Sequence, residues 1–111
     1  MDITFRQRNM QKVFNSQKEL ERKYGPRMTR VIQNRMTVLR RAQTLNMVPT
    51  EKPERCHPLK GDRRGQFAVD LVHPQRLVFE PNHDPVPRTE DGGVDKDQIS
   101  AITIIEVIDY H

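Results

Sequence analysis

Two short segments carry most of the side chains that could perform acid–base chemistry. The first, CHPLKGDRRGQF at residues 56–67, holds an imidazole, an ammonium and two guanidinium groups. The second is the tail DYH at residues 109–111, which adds a carboxylate, a phenol and another imidazole. Imidazole can move a proton in either direction near neutral pH, and cations stabilise the extra negative charge of a phosphoryl transition state. These residue types suit cleavage of RNA by its own 2′-hydroxyl, which needs a base, a charge clamp and an acid.

Within the first segment, His57 is the candidate proton carrier and Lys60 the candidate charge clamp. Arg63 and Arg64 follow on the same turn, and Arg76 opens the next apolar run. Arginine presents forked donors that match phosphate oxygens, so these three are candidate phosphate or RNA contacts. The alternative for this segment alone is a polar loop whose cations remain hydrated.

The tail favours a catalytic site over a hydrated polar loop, because it follows a strongly β-branched run that predicts a strand. Tyr110 and His111 are candidate proton carriers, and Asp109 could orient an imidazole. The alternative is a frayed chain end, which is common. A strand that runs directly into the tail favours a held position at the edge of a sheet.

Metal binding is a weak alternative. The potential ligands show no chelating spacing, and adjacent cysteine and histidine suit zinc poorly; they are Cys56, His57, His73, His83 and His111. We therefore predict neither a metal nor a cofactor. Cys56 is expected to be a small buried residue of a strand, and His73 and His83 are expected to lie in turns.

Length and composition favour one domain, residues 1–111, with a modest core. Hydrophobic residues make up 34% of the chain and the mean hydropathy is −0.83. No apolar run is long enough for a membrane span, and the first residues lack the apolar region of a signal peptide. A single cysteine cannot build a disulfide framework. These features predict a cytoplasmic protein.

The net charge of +4 hides two oppositely charged halves. Residues 1–65 contain 16 of the 19 Lys and Arg but 6 of the 15 Asp and Glu, a net charge of +10, whereas residues 66–111 have a net charge of −6. A basic first half suits a polyanion or an acidic protein partner. The alternative is an ordinary solvated helical surface.

The first 45 residues read as an edge strand followed by a helical hairpin. DITF is β-prone, which predicts the edge strand within residues 1–6. Apolar residues recur at helical spacing over 7–24 and again over 27–45, and Gly25-Pro26 separates the two stretches. The hairpin is therefore predicted over 7–45, with its turn at Gly25-Pro26.

Residues 54–111 read as a β-meander. Strands are predicted at 66–72, 76–80 and 99–111, the last being central, with an insertion loop at 81–98. This loop is rich in acidic residues, which would repel RNA if it covered an active face; they are Asp84, Glu90, Asp91, Asp95 and Asp97. The predicted fold class is α+β, with helices on one face of a small antiparallel sheet. The open face and the loop 57–66 remain for a ligand.

Three stretches, HPLKGDRRGQFAVDL, QRLVFEP and IIEVIDYH, resemble the HigB branch of the RelE/ParE toxin superfamily of type II toxin–antitoxin modules, also called plasmid maintenance or killer proteins. The resemblance is close over about residues 55–111 and holds only in layout for the helical half. It implies a microbial-RNase-like fold and a ribosome-dependent endoribonuclease, an mRNA interferase, that cuts mRNA in the ribosomal A site without a metal.

By the same resemblance, His57, Lys60, Asp109, Tyr110 and His111 are similar to the catalytic set, and Arg76 is similar to a phosphate-binding arginine. The implied partner is a helix-turn-helix antitoxin of the HigA type, through which alone the protein would meet operator DNA. Compact members of the family have a short hairpin where this chain has the loop 81–98.

Two other functions remain open. The same fold supports a ParE-like toxin that inhibits DNA gyrase without cutting RNA, although such a protein would not need the His, Lys and Tyr set. A degenerate toxin that survives as a binding or regulatory partner would also use the basic first half.

Overall fold

Five strands form one sheet in a computed structural model that describes residues 1–109. The strands are β1 (Asp2–Phe5), β2 (His57–Pro58), β3 (Phe67–Asp70), β4 (Gln75–Pro81) and β5 (Ala101–Asp109). Their order across the sheet is β1-β5-β4-β3-β2, so β1 is an edge strand and β5 an interior strand, as predicted. All neighbours are antiparallel except β1 and β5, which are parallel.

The helical half has one turn more than the prediction. Helix α1 covers Arg8–Phe14 and α2 covers Gln17–Arg41. An additional turn, which the sequence did not predict, lies at residues 15–16, where the Ser16 hydroxyl accepts a hydrogen bond from the Glu19 amide at 3.2 Å and caps α2. Gly25, with φ 83° and ψ 164°, is non-helical and breaks α2 into two helical stretches that meet at a kink, at the position the sequence predicted.

The helical hairpin also ends earlier than residue 45. Ala42 is extended, and Leu45 begins a short 3-10 turn whose first amide donates to the Ile99 carbonyl at 2.9 Å. Leu45 is buried through this contact with the segment before β5, not through helix periodicity.

The main core lies between the helices and one face of the sheet. Leu20, Ile32 and Leu39 of α2 pack there with Leu77 and Phe79 of β4. These side chains are almost fully buried. Alternation along β4 and β5 turns the remaining residues to the opposite, open face, where a small apolar cluster forms from Leu59, Ala68, Val78 and Ile105.

The insertion 81–98 packs on the helix side of the sheet. Val86 and Val94 contact the main core, and Asn46 donates to the Asp97 carboxylate at 2.8 Å. The acidic loop therefore does not cover the open face, and the expected repulsion of RNA from that face does not arise from it. No helix within residues 1–109 combines the length and apolar character that crossing a membrane requires.

Candidate active site

His57 lies on the open face of the sheet and contacts Arg76. His57 on β2 pairs with Ala68, and Arg76 on β4 pairs with Asp70 and with Ile108. The His57 Nε2 lies 3.2 Å from Arg76 Nη1, and its Nδ1 lies 2.6 Å from the Arg55 carbonyl oxygen. The fold thus brings together two residues that the sequence proposes for the site.

These two partners fix the tautomer of His57. A carbonyl oxygen can only accept, so Nδ1 carries the proton; a guanidinium can only donate, so Nε2 offers its lone pair. The imidazole is oriented from one side by the backbone and presents a proton acceptor on the other. This is the form that a general base requires.

Asp70 organises the arginines around this imidazole. Its carboxylate lies 2.6 Å from Arg55 Nε and 3.4 Å from Arg76 Nε. The Asp70 hydrogen bond and charge raise the pKa of the Arg55 guanidinium. From the helix side, Arg35 donates to the Asp70 carbonyl at 2.6 Å, which ties α2 to the end of β3.

Arg55 has a left-handed backbone, with φ 45°. This conformation is unfavourable for a side chain other than glycine, by about 1–2 kcal/mol. In this conformation Arg55 makes two contacts in the site: its carbonyl orients His57, and its side chain pairs with Asp70.

A cavity of about 410 Å³ opens at this cluster. Arg55, Asp70 and Arg76 line it together with Lys52 and His73, among others. The surplus of cations suits an anionic ligand such as an RNA phosphate. Sequence reasoning did not select Arg55, Asp70, Lys52 or His73 for the site. Lys52 and Arg55 come from the segment before β2, whereas Asp70 ends β3 and His73 lies between β3 and β4.

Asp109 ends β5 at the same end of the sheet, where it pairs with Gln75. Alternation places it on the helix side, opposite to Ile108 and Arg76. From strand spacing and rise, its backbone is about 17 Å from that of His57. Arg76 lies between the two strands that carry them. Tyr110 and His111 lie outside the described residues.

The other predicted cations have different environments. Lys60 is exposed and, within residues 1–109, makes no ion pair. Arg63 reaches over the open face to the Glu106 carboxylate at 2.8 Å, and also donates to Gln66 at 3.0 Å. Arg64 lines a separate cavity at the outer edge of β2. The fold therefore joins none of these three to His57 and Arg76.

The remaining cysteine and histidine side chains have structural positions. Cys56 is buried in the main core, although outside the strands, and burial raises the pKa of its thiol to about 11. His83 accepts a hydrogen bond from the Ser100 amide at 3.0 Å. No three His, Cys, Asp or Glu side chains converge as metal ligands within the part of the chain that the structure describes.

This arrangement of helices and sheet is similar to the fold of solved YoeB/ParE toxins. A YoeB/ParE toxin from Agrobacterium tumefaciens superimposes with a TM-score of 0.60 at 14% sequence identity, over 100% of both chains. A YoeB–YefM complex from Staphylococcus aureus matches with a TM-score of 0.55 at 18% identity, over 100% of this chain and 97% of that chain. No protein-family profile matches the sequence, and no curated protein matches it. The similarity therefore establishes the fold.

Proposed function

We propose that this protein is a HigB-type toxin of a type II toxin–antitoxin system and a member of the RelE/ParE superfamily. It is a ribosome-dependent mRNA endoribonuclease that uses acid–base catalysis without a metal. The observation that carries the proposal is the contact between the oriented imidazole of His57 and the guanidinium of Arg76 on the open face.

His57 is the general base of the proposed reaction. When RNA enters, a 2′-hydroxyl takes the place of Arg76 Nη1 beside His57 Nε2 and gives up its proton there. The 2′-oxygen then forms a bond to the adjacent phosphorus, and the bond to the 5′-oxygen breaks. Arg76, held by Asp70, stabilises the charge that develops on the phosphate oxygens.

The leaving 5′-oxygen takes a proton from Tyr110 or His111, and the products are a 2′,3′-cyclic phosphate and a 5′-hydroxyl. The support for this part is the direction of β5, which runs past Arg76 at Ile108 and toward the tail. Because the backbones of His57 and Asp109 are about 17 Å apart in space, the proton donor must approach the phosphate from the side of Arg76 opposite to His57. Asp109 orients the tail, and Lys60 and Arg63 contact flanking phosphates.

The proposed partners follow from the same assignment. The substrate is mRNA in the A site of the 70S ribosome in the cytoplasm. The antitoxin is a helix-turn-helix protein of the HigA type, which also supplies the contact with operator DNA. The basic first half of the chain, with 16 of the 19 Lys and Arg in residues 1–65, supports binding to a ribosomal RNA surface.

The decisive experiment compares the wild type with His57→Gln in a primer-extension assay on ribosome-bound mRNA, beside a gyrase supercoiling assay. We expect cuts with cyclic phosphate ends from the wild type, loss of at least 100-fold in rate for His57→Gln, and unchanged supercoiling. His83→Gln is the matched control, because the His83 imidazole is hydrogen-bonded to the Ser100 amide, at the far end of β4 and β5 from Arg76. Intact mRNA together with inhibited gyrase would replace this proposal with the ParE-like function.

A further inference from the structure

A second cavity, of about 480 Å³, lies between the β2–β3 hairpin and the insertion 81–98. Pro58, Leu59 and Phe67 of the hairpin and Val94 of the insertion give it apolar walls. It shares no lining residue with the cavity beside His57 and Arg76. Phe67 and Val94 belong to the core on the helix side of the sheet, whereas the candidate active site lies on the open face. The two cavities are therefore separated by the edge strand β2.

Three cations converge on this cavity. Arg64 comes from the hairpin, and Arg88 and Lys96 come from the insertion, while the lining includes no acidic residue. None of the three has a carboxylate within ion-pair distance among residues 1–109. Arg88 donates to the Gly92 carbonyl at 3.0 Å, a contact that leaves its charge without an acidic partner among these residues. Cations without a carboxylate partner beside an apolar wall favour a ligand that carries an anion on an apolar body.

Two acidic residues of the insertion, Asp91 and Asp95, are held in its own turns. Asp91 accepts from the Thr89 hydroxyl and from the Gly93 amide, contacts that lower the pKa of its carboxyl group. Asp95 accepts from Gln98 at 2.7 Å and from the Asp97 amide at 3.3 Å. Two acids of the insertion thus close turns, and its two basic residues, Arg88 and Lys96, line the cavity.

We propose that this cavity binds a nucleoside monophosphate group, with the phosphate between Arg88, Lys96 and Arg64 and the base against the apolar walls. The volume lies within the usual range for small-ligand pockets. Glycines 65, 92 and 93 line the cavity without side chains, which leaves room for a ligand. The Gly92 and Gly93 amides already donate to the Thr89 carbonyl and the Asp91 carboxylate, so the cations supply the contacts to the phosphate. The group comes either from a free nucleotide or from the end of an RNA strand. The proposal does not depend on RNA cleavage.

The five glycines of the chain make a direct test by amide NMR, because three of them line the cavity and Gly25 and Gly61 do not. We expect adenosine 5′-monophosphate, added to the full chain, to shift the amide signals of Gly65, Gly92 and Gly93 and to leave Gly25 and Gly61 unmoved. No shift at the three lining glycines at millimolar nucleotide would overturn the proposal.

Calorimetric titration tests the chemistry of the ligand. Adenosine and inorganic phosphate each lack half of the recognised group and are expected to bind at least tenfold more weakly than the nucleotide. Arg88→Gln and Lys96→Gln are each expected to raise its dissociation constant about tenfold, the usual effect of losing one charge-assisted hydrogen bond. Lys18→Gln, an exposed change on α2, is the matched control. Equal affinity of the Arg88, Lys96 and control variants would refute the assignment.

An oligodeoxynucleotide with a 5′-phosphate distinguishes the two sources, since it lacks the 2′-hydroxyl and cannot be cleaved. Tenfold tighter binding of the oligonucleotide than of the mononucleotide identifies a strand end as the ligand. Tighter binding of the mononucleotide identifies a free nucleotide. A thermal melt of each variant reports folding, so that a lost site is distinguished from an unfolded protein.

Discussion

Replacing Asp70 by asparagine tests how the candidate site is built. The change keeps the shape of the side chain and removes the charge that faces Arg76 Nε at 3.4 Å. Coulomb's law gives about 1.2 kcal/mol for that separation at the dielectric constant of water and about 5 kcal/mol at an effective value of 20. The two side chains are 18% and 25% exposed, so the interaction lies between these limits.

The lower limit alone corresponds to a factor of about eight in the population of correctly placed Arg76. We therefore expect Asp70→Asn to lower kcat for mRNA cleavage at least eightfold. KM should stay constant or fall, because a negative charge has been removed beside a polyanionic substrate. This division between kcat and KM separates positioning of Arg76 from a general loss of structure.

The assay is single-turnover primer extension with wild type, Asp70→Asn, Arg76→Gln and the double variant. If Asp70 acts through Arg76, Asp70→Asn costs little further activity in the Arg76→Gln background. Asp84→Asn makes the same chemical change at an exposed position of the insertion and serves as the control. Additive losses in the double variant, or a raised KM with constant kcat, would refute the reasoning.

Three further predictions concern the tail, the kink and the buried thiol. His111→Ala is expected to abolish toxicity on induced expression while the thermal midpoint stays nearly unchanged, because the proposed role of this side chain is in the reaction and not in the fold. A toxic His111→Ala variant would count against the proposed acid. Gly25→Ala is expected to destabilise the fold by about 1–3 kcal/mol in chemical denaturation, because φ 83° with ψ 164° is open only to glycine. The cost comes from the backbone alone, since a Cβ at this position meets nothing within 4 Å. Gly25→Asn should be destabilised as well, and an unchanged denaturation midpoint would contradict the kink. The folded state keeps the Cys56 proton up to pH about 11, whereas the unfolded chain loses it near the usual pKa of 9.0, so the free energy of unfolding should fall by roughly 3 kcal/mol as the pH rises through this window. Cys56→Ala should lack that fall in urea titrations from pH 8 to 11. An identical fall in both proteins would exclude the thiol as its cause.

Local patterns predict most of the sheet. Alternation in QFAVDLV and RLVFE indicates β3 and β4, and the β-branched run ITII indicates the interior strand β5. The helical spacing of apolar residues continues across Asn15 and Ser16, so it does not reveal the turn between α1 and α2. A signal was present, because Ser16 followed by Glu19 is the capping pattern that begins a helix.

The candidate site was less accessible to sequence reasoning. The side chains of His57 and Arg76 suggested a proton carrier and a phosphate contact. Their contact with each other depends on a hairpin that brings β2 and β3 beside β4. Arg55 and Asp70 carry no motif, and the Arg55 that pairs with Asp70 has a left-handed backbone. Such a conformation depends on tertiary contacts, so local sequence could not predict it.

The position of β5 between β1 and β4 has a consequence for synthesis of the protein. β1 precedes β5, its only strand neighbour among the described residues, by the whole of residues 6–100, so it cannot pair until that segment has left the translating ribosome. Such distant pairings close large loops and fold slowly. The sheet that carries Arg76 is therefore assembled late in translation, and we expect a truncated nascent chain to be harmless to the ribosome that is making it.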